Sequence, residues 1–184
     1  MTGLEGQTVV VVGGTSGMGL ATVHAAAELG ADVVAAGRRP IAAREPVAGA
    51  RPGEVDVTDE DSVAKLFAGV GDLDHLLVTA SPGRPGPFLD QDLAAARSFM
   101  DGKFFGSWTC ARHAAPRLRP GGSITFVTGA AVVRAPSHGS MVAAAFAAVE
   151  ALTRALAVEL GPRRGGVAGR RDGHTSSCRR TCRP

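Results

Sequence analysis

Tyrosine is absent from this 184-residue chain, and lysine occurs only twice. Any reaction that needs a phenolic hydroxyl as its proton donor is therefore excluded. The three cysteines have no metal-ligating partners at useful spacing, so no metal site is predicted. Their small, odd number is typical of a protein in the reducing cytoplasm rather than of a disulfide-bonded scaffold. No run of about 18 apolar residues occurs, so no membrane-spanning helix is expected. Residues 1–6 show no secretory signal.

Acidic residues are scarce toward the C-terminal end. Residues 162–184 contain seven Arg and one acid, Asp172, a net charge of +6; the whole chain carries +3, so residues 1–161 carry −3. The same segment has no apolar periodicity, which predicts a disordered basic tail after one domain of residues 1–161. Such a tail can contact a polyanion without specificity, so no specific nucleic-acid partner is predicted.

The chain does contain an alternation of short apolar segments and segments with helical periodicity. Strands are predicted at residues 9–12, 31–36, 55–57, 73–78 and 123–128. Helices are predicted at residues 17–29, 59–67, 89–96, 98–118 and 141–160. Thr58 is predicted to cap the second helix, with Asp61 in the capping-box position. Strands separated by helices indicate right-handed βαβ units. The predicted fold is therefore α/β, with a Rossmann-type, doubly wound parallel sheet of about five strands in a three-layer arrangement.

A glycine-rich loop follows the first predicted strand and opens the first helix, with the sequence Gly13-Gly14-Thr15-Ser16-Gly17-Met18-Gly19. Gly13 allows a sharp exit from the strand, Gly17 lets the helix N-terminus approach a pyrophosphate, and Gly19 lets the helix pack closely on the sheet. The helix N-terminus offers unpaired N–H groups to phosphates. Because strand, loop and helix occur together, a dinucleotide site is predicted in preference to an ordinary βα turn.

Two N-terminal motifs resemble the short-chain dehydrogenase/reductase family. Gly13, Gly17 and Gly19 match the family's T-G-x-x-x-G-x-G motif, with Val12 in place of the usual Thr. Asp56 matches the family's acid near the adenine. Asp56 lies within the third predicted strand, residues 55–57.

Two later segments extend this resemblance. Residues 74–81 resemble the family's D-x-L-V-N-N-A-G strand, with Thr79 and Ala80 where two Asn are usual. Residues 147–160 match the family's active-site helix almost letter for letter and are the most specific part. The resemblance covers residues 7–161 and implies a nicotinamide dinucleotide cofactor and oxidoreductase activity.

The residues after the second predicted strand bear on the choice of cofactor. An acid there would hold the ribose 2′-hydroxyl of NAD, whereas an Arg would accept the 2′-phosphate of NADP. This chain has Gly37-Arg38-Arg39, and Arg38 with the hydroxyls of Thr15 or Ser16 predicts NADP(H) rather than NAD(H). The alternative is a pair of solvated arginines. The predicted cofactor-binding residues are Gly13, Thr15, Ser16, Gly17, Met18, Gly19, Arg38, Asp56, Val57, Thr79, Ala80 and Ser81.

The catalytic residues that the resemblance implies have no counterpart in this chain. The family uses a Tyr as acid/base, a Lys four residues later, a Ser after the fifth strand and an upstream Asn. The matching positions hold Val142, Phe146, Gly129 and Lys103. Val142 and Phe146 cannot exchange protons, and the helix position of Lys103 predicts an ammonium group in solvent.

Two residues near these positions are weak candidates for a substitute role. Thr128 and His138 lie close to the implied site in sequence, and an imidazole can titrate near neutral pH. A loop histidine is, however, more often only solvated. Two functions therefore stay open: an NADP(H)-dependent oxidoreductase with impaired or absent hydride transfer, and a non-catalytic nucleotide-binding sensor or partner subunit.

Assembly and the C-terminal segment are also predicted from the resemblance. The family pairs its two long C-terminal helices across a two-fold, so the helices at residues 98–118 and 141–160 predict a homodimer or tetramer. The family continues with a sixth strand, a substrate-covering helix and a seventh strand, which we expect to be missing here. The abrupt change to a basic segment predicts a truncated or frame-disrupted chain, with a native basic tail as the alternative. The fifth strand would then be an exposed edge.

Overall fold

The computed structural model describes residues 3–39, 47–81, 83, 86–164, 166–171 and 174–177. Its strands are β1 Thr8–Val12, β2 Asp32–Gly37, β3 Ala50–Glu54, β4 Leu73–Val78, β5 Leu118–Val127, β6 Gly166–Arg171 and β7 His174–Ser177. Its α-helices are α1 Gly17–Glu28, α2 Glu60–Val70, α3 Leu93–Met100, α4 Gly106–Ala114 and α5 Ser140–Arg164.

The strands form one sheet in the order β3-β2-β1-β4-β5-β6-β7. The pairs from β3 to β6 are parallel, and β7 runs antiparallel to β6. The chain starts at β1, moves outward through β2 and β3, and then returns to β4 on the other side of β1. The order therefore reverses between β1 and β4, and their carboxyl ends diverge into the crevice where doubly wound sheets bind ligands.

The core lies on both faces of this sheet. Alternate residues of β1 point to opposite faces, so Val9 and Val11 pack with Val23 of α1, whereas Val10 and Val12 pack with residues of α2, α4 and α5. Every residue of β1 is buried, as expected for a central strand covered on both faces. The three-layer, Rossmann-type parallel sheet predicted from the sequence is confirmed.

The third strand and the cap of the second helix differ from the predictions. The strand is Ala50–Glu54 and not residues 55–57. It lies at the sheet edge, where Pro52 and a largely exposed, polar sequence are tolerated. Val55, Asp56 and Val57 instead follow its carboxyl end. The N-cap of α2 is Asp59 rather than Thr58, because the Asp59 carboxylate accepts a hydrogen bond from the Asp61 N–H at 3.0 Å.

The helical region before β5 is divided more finely than predicted. Helix α3 continues through a π-helical turn, Asp101–Phe105, into α4, and a 3-10 turn, Ala115–Arg117, leads into β5. The α-helix ends before residue 118 because Pro116 has no N–H to continue its hydrogen bonds. The strand β5 consequently begins five residues earlier than residue 123.

The prediction that the sheet ends at the fifth strand is wrong. The strand β6 pairs with β5 from Ser123↔Gly166 to Val127↔Arg170, and β7 pairs with β6, so β5 is not an edge. The segment predicted to be disordered therefore contains two strands. Backbone hydrogen bonds in a sheet need no apolar side-chain pattern, which is why composition did not indicate these strands. Residues 165, 172–173 and 178–184 of the predicted tail lie outside the described residues.

Helix α5 is apolar along much of its length. Its segment Ser140–Gly161 has a mean hydropathy of 1.7 and is, by length and composition alone, long and apolar enough to cross a membrane. The prediction of no such helix considered only uninterrupted apolar runs. In the structure α5 packs on β5 and β6, and Ala145, Val149 and Thr153 are buried. The core helix of a globular domain has the same composition, so the hydropathy is weak evidence for a membrane.

Candidate functional site

A cleft of about 290 Å³ opens at the carboxyl ends of β1 and β4. Every predicted cofactor-binding residue except Gly17 lines it, and Val12, Gly37, Val55, Thr58 and Gly102 complete its wall. Motifs that are far apart in the sequence thus meet at the crevice where the strand order reverses.

The glycine-rich loop is shaped by close contacts that exclude larger residues. A Cβ atom at Gly13, where φ is +91°, would collide with the Thr79 hydroxyl, and one at Gly19 would collide with the Gly13 carbonyl. At Gly17, where φ is +54°, a Cβ would meet no atom of the described residues within 4 Å. Gly17 therefore faces open space at the start of α1, as expected where a helix N-terminus approaches a ligand.

The first turn of α1 suits an anion. Its N-cap residue, Ser16, makes no side-chain capping hydrogen bond, and no acidic side chain occurs in the first turn. The first N–H groups of the helix therefore have no cap from the Ser16 side chain, and no carboxylate of that turn competes for the positive end of the helix dipole. The close contacts at Gly13 and Gly19 leave no room for a side chain, and the N-terminus of α1 has no side-chain cap. Both features fit a dinucleotide pyrophosphate.

Thr79 joins the two sides of the crevice. Its hydroxyl lies 3.2 Å from the Val12 carbonyl oxygen and 3.1 Å from that of Gly13, and its N–H donates to Val12 at 2.8 Å. The residue thus fixes the end of β4 against the glycine-rich loop. Its side chain lines the cleft but is already engaged with the protein backbone.

Arg38 and Asp56 lie on the β2 side of the cleft. The pKa of the Asp56 carboxyl is lowered by hydrogen bonds from the Thr58 N–H and hydroxyl, and further by the positive charge of Arg38. Asp56 is therefore a fixed carboxylate at neutral pH. The exposed Arg38 directly follows the Gly37 end of β2, against which the Thr15 side chain lies, so one guanidinium and one hydroxyl flank the same opening.

The position of Lys103 contradicts the sequence prediction. Its side chain is only 2% exposed, on the π-helical turn Asp101–Phe105, and not in solvent. The Nζ atom donates to the Val127 carbonyl at 2.7 Å and to the Ala80 carbonyl at 3.4 Å, and it lies 5.2 Å from the centroid of the Phe146 ring. Burial lowers the pKa of this ammonium to about 8. The helix turns this residue inward, which linear spacing alone did not indicate.

The substitute candidates do not converge on the cleft. Thr128 is buried and its hydroxyl donates to the Glu150 carboxylate at 3.2 Å, while His138 is exposed in the segment before α5. Neither belongs to the lining of the cleft that the described residues form. Glu150, a buried acid on α5, was not identified from the sequence, because its position within a helical match gives no sign of burial.

Comparison with known proteins agrees with this geometry. A family model described as enoyl-(acyl carrier protein) reductase matches residues 12–167. The cis-4-hydroxycyclohexanecarboxylate dehydrogenase of Sinomonas cyclohexanicum is 37% identical over 165 residues, which are 83% of this chain and 66% of that protein. The chain therefore spans just under two thirds of the length of this curated relative.

Solved structures give the same result for the fold. A short-chain dehydrogenase/reductase family protein is 36% identical, with a TM-score of 0.80 and coverage of 91% of this chain and 72% of that one. A small-chain dehydrogenase in complex with NADPH is 32% identical, with a TM-score of 0.73 and coverage of 88% and 68%.

Proposed function

Because the chain belongs to the short-chain dehydrogenase/reductase family of oxidoreductases, we propose that it binds NADP(H) in the cleft between β1 and β4, with impaired or absent hydride transfer. The observation that carries this proposal is the glycine-rich loop, whose backbone leaves room for a pyrophosphate at the N-terminus of α1.

The choice of NADP(H) rests on Arg38. Arg38 follows β2, where an acid would select the free 2′-hydroxyl of NAD, and the Thr15 side chain lies against Gly37, the residue before it. A guanidinium pairs with a phosphate through two parallel hydrogen bonds, which an unphosphorylated ribose cannot offer. A small-chain dehydrogenase of similar fold has been solved with NADPH. We also propose a cytoplasmic location, where the sparse cysteines would stay reduced.

The proposal of impaired hydride transfer rests on the side chains at the catalytic positions. Val142 and Phe146 carry no exchangeable proton, and Gly129 has no side chain. The Lys103 ammonium donates to two backbone carbonyls and is nearly inaccessible to solvent. A carbonyl substrate would therefore lack a positioned proton donor at its oxygen.

A sensor or partner subunit is the second candidate function, and exposed apolar side chains favour it. Phe105 and Trp108 on the π-turn and α4, and Val158 on α5, are more than one third exposed. These elements belong to the two long helical regions from which we predict a homodimer or tetramer. Light scattering at micromolar concentration should give a multiple of 18.7 kDa, and a monomer mass would contradict the assembly.

Calorimetric titration with NADPH and NADH tests the binding proposal. NADPH should bind more tightly, and Arg38→Ala should remove most of that preference, on the order of tenfold for one lost charge-assisted pair. Arg39→Ala is the matched control, since Arg39 is the adjacent exposed arginine but does not line the cleft. Equal affinities in the unmodified protein would reject NADP(H) selectivity, and no binding of either nucleotide would reject the proposal itself.

A further inference from the structure

Lys103 places a buried positive charge beneath one half of the cleft. Its two hydrogen-bond acceptors are the carbonyl of Ala80, which lines the cleft after β4, and that of Val127, the last residue of β5. Gly102, its neighbour in the π-helical turn, also lines the cleft. The ammonium therefore lies just behind the wall on the β4–β5 side.

The two sides of the cleft receive different halves of a dinucleotide. A doubly wound sheet binds the ligand across the crevice, with the pyrophosphate at the first helix. Arg38 and Asp56 place the adenosine half on the β2 side, so the nicotinamide half extends toward the carboxyl ends of β4 and β5. That is the side on which the Lys103 ammonium is buried.

We propose that the Lys103 ammonium makes this cleft bind the reduced dinucleotide in preference to the oxidised one. The inference rests on the proposed binding of NADP(H) and adds a selectivity for redox state. The oxidised nicotinamide ring carries a positive charge and the reduced ring is neutral, while the rest of the two molecules is identical. A fixed cation on this side therefore repels only the oxidised form.

Within the part of the chain that the structure describes, no ion pair neutralises the Lys103 ammonium, because no carboxylate there lies within ion-pair distance of it. Its neighbours are backbone carbonyls and the face of the Phe146 ring, which hold a cation in place without cancelling its net charge. Because the side chain is buried, water screens its field less than it would at the surface.

Other ionisable groups around Lys103 come from the elements packed on its turn. Glu150 of α5 is the buried acid, and it accepts from Thr128, the residue after Val127. Asp101, on the same turn, is exposed, so solvent screens it. Burial raises the pKa of Cys110 on α4 to about 12, which keeps that thiol neutral. Glu150 attracts an oxidised ring and so opposes the effect of Lys103, which limits the expected preference to on the order of tenfold.

Calorimetric titration with NADPH and NADP⁺ tests this inference through the ratio of the two dissociation constants. The unmodified protein should favour NADPH by on the order of tenfold at pH 7, and Lys103→Met should abolish that preference. Lys65→Met is the matched control, because Lys65 is the other lysine of the chain and lies exposed on α2. A merely structural role of Lys103 would weaken both nucleotides equally and leave the ratio unchanged.

A pH series on the unmodified protein keeps the test independent of any variant that fails to fold. The ammonium loses its proton above a pKa of about 8, so the preference for NADPH should be lost between pH 7 and pH 9.5. The phosphates titrate equally in both nucleotides and cancel in the ratio. The inference is overturned if the ratio of the two dissociation constants is the same in the unmodified protein and Lys103→Met, or the same at pH 7 and pH 9.5. If neither nucleotide binds, the proposed function is rejected instead.

Discussion

The two sides of the cleft differ in what they require of the sequence. On the β1–α1–β2 side the site consists of backbone geometry, with glycines that approach one another closely and helix N–H groups that face outward. On the β4–β5–α5 side the resemblance implies specific proton-exchanging side chains, and we propose that Val142, Phe146 and the buried Lys103 occupy those positions. The proposed function therefore separates nucleotide binding from proton transfer within one fold, with the first retained and the second lost.

The largest expected effect concerns catalysis. NADPH oxidation with a panel of aldehydes, ketones and quinones should stay far below about 1 s⁻¹, an ordinary enzymic rate, because a missing general acid alone costs about 10²–10⁴-fold. Ordinary turnover would show that both sides of the cleft are functional. Loss of that turnover in His138→Ala would then identify this histidine as the acid.

Restoration of the family residues is a sharper form of that test. Phe146→Lys would place a second ammonium where Lys103 already lies 5.2 Å from the ring. Like charges at this separation in a buried site disfavour each other, so Val142→Tyr with Phe146→Lys should fold poorly unless Lys103→Asn is added. Thermal unfolding should give a lower melting temperature for the double variant than for the triple variant with Lys103→Asn. Equal melting temperatures would contradict the expected charge repulsion.

The second-largest effect is expected from a substitution that disrupts the glycine-rich loop on the nucleotide-binding side of the cleft. Gly19→Val places side-chain atoms against the Gly13 carbonyl, so we expect a loss of about 3 kcal/mol or more in the free energy of unfolding and no measurable NADPH binding. Gly69→Ala in helix α2 is the matched control, because a Cβ there meets no atom of the described chain within 4 Å, and it should stabilise the protein slightly. Denaturant unfolding measures both, and a Gly19→Val protein of unchanged stability would refute the close packing.

The third effect concerns the charge buried on the opposite side. Burial lowers the pKa of Lys103 from its ordinary value of 10.5 to about 8, so the charged form destabilises the folded state. This penalty is present in full below pH 8 and is relieved as the pH rises toward 10.5. Relative to Lys103→Met, the unmodified protein should therefore gain up to about 3 kcal/mol across that range. Lys65→Met should track the unmodified protein at every pH, and a Lys103→Met difference that does not vary with pH would show that the ammonium is not buried.

The difference between the two sides of the cleft also explains which features could be predicted from the sequence. The βα turn was predictable, because Gly13, Gly17 and Gly19 follow an apolar strand at a fixed spacing, and it lies where the structure has its cleft. The inward direction of Lys103 was not predictable, since it depends on a π-helical turn and on Phe146 from a distant helix. The strands β6 and β7 were missed because their backbone pairing leaves no apolar pattern.

The smallest expected effect concerns Thr79, which connects the two sides. Its hydroxyl bonds to the Val12 and Gly13 carbonyl oxygens, whereas valine has the same shape and no donor. Thr79→Val should therefore cost about 1 kcal/mol in the free energy of unfolding and weaken NADPH binding several-fold, because the end of β4 is no longer fixed to the glycine-rich loop. The control is Thr22→Val, which removes an exposed hydroxyl bond to Met18 within α1 and should cost less than about 0.5 kcal/mol. Equal losses of unfolding free energy in the two variants would mean that the Thr79 hydroxyl contributes no more than an ordinary exposed hydrogen bond. The end of β4 and the glycine-rich loop would then hold their positions independently of it.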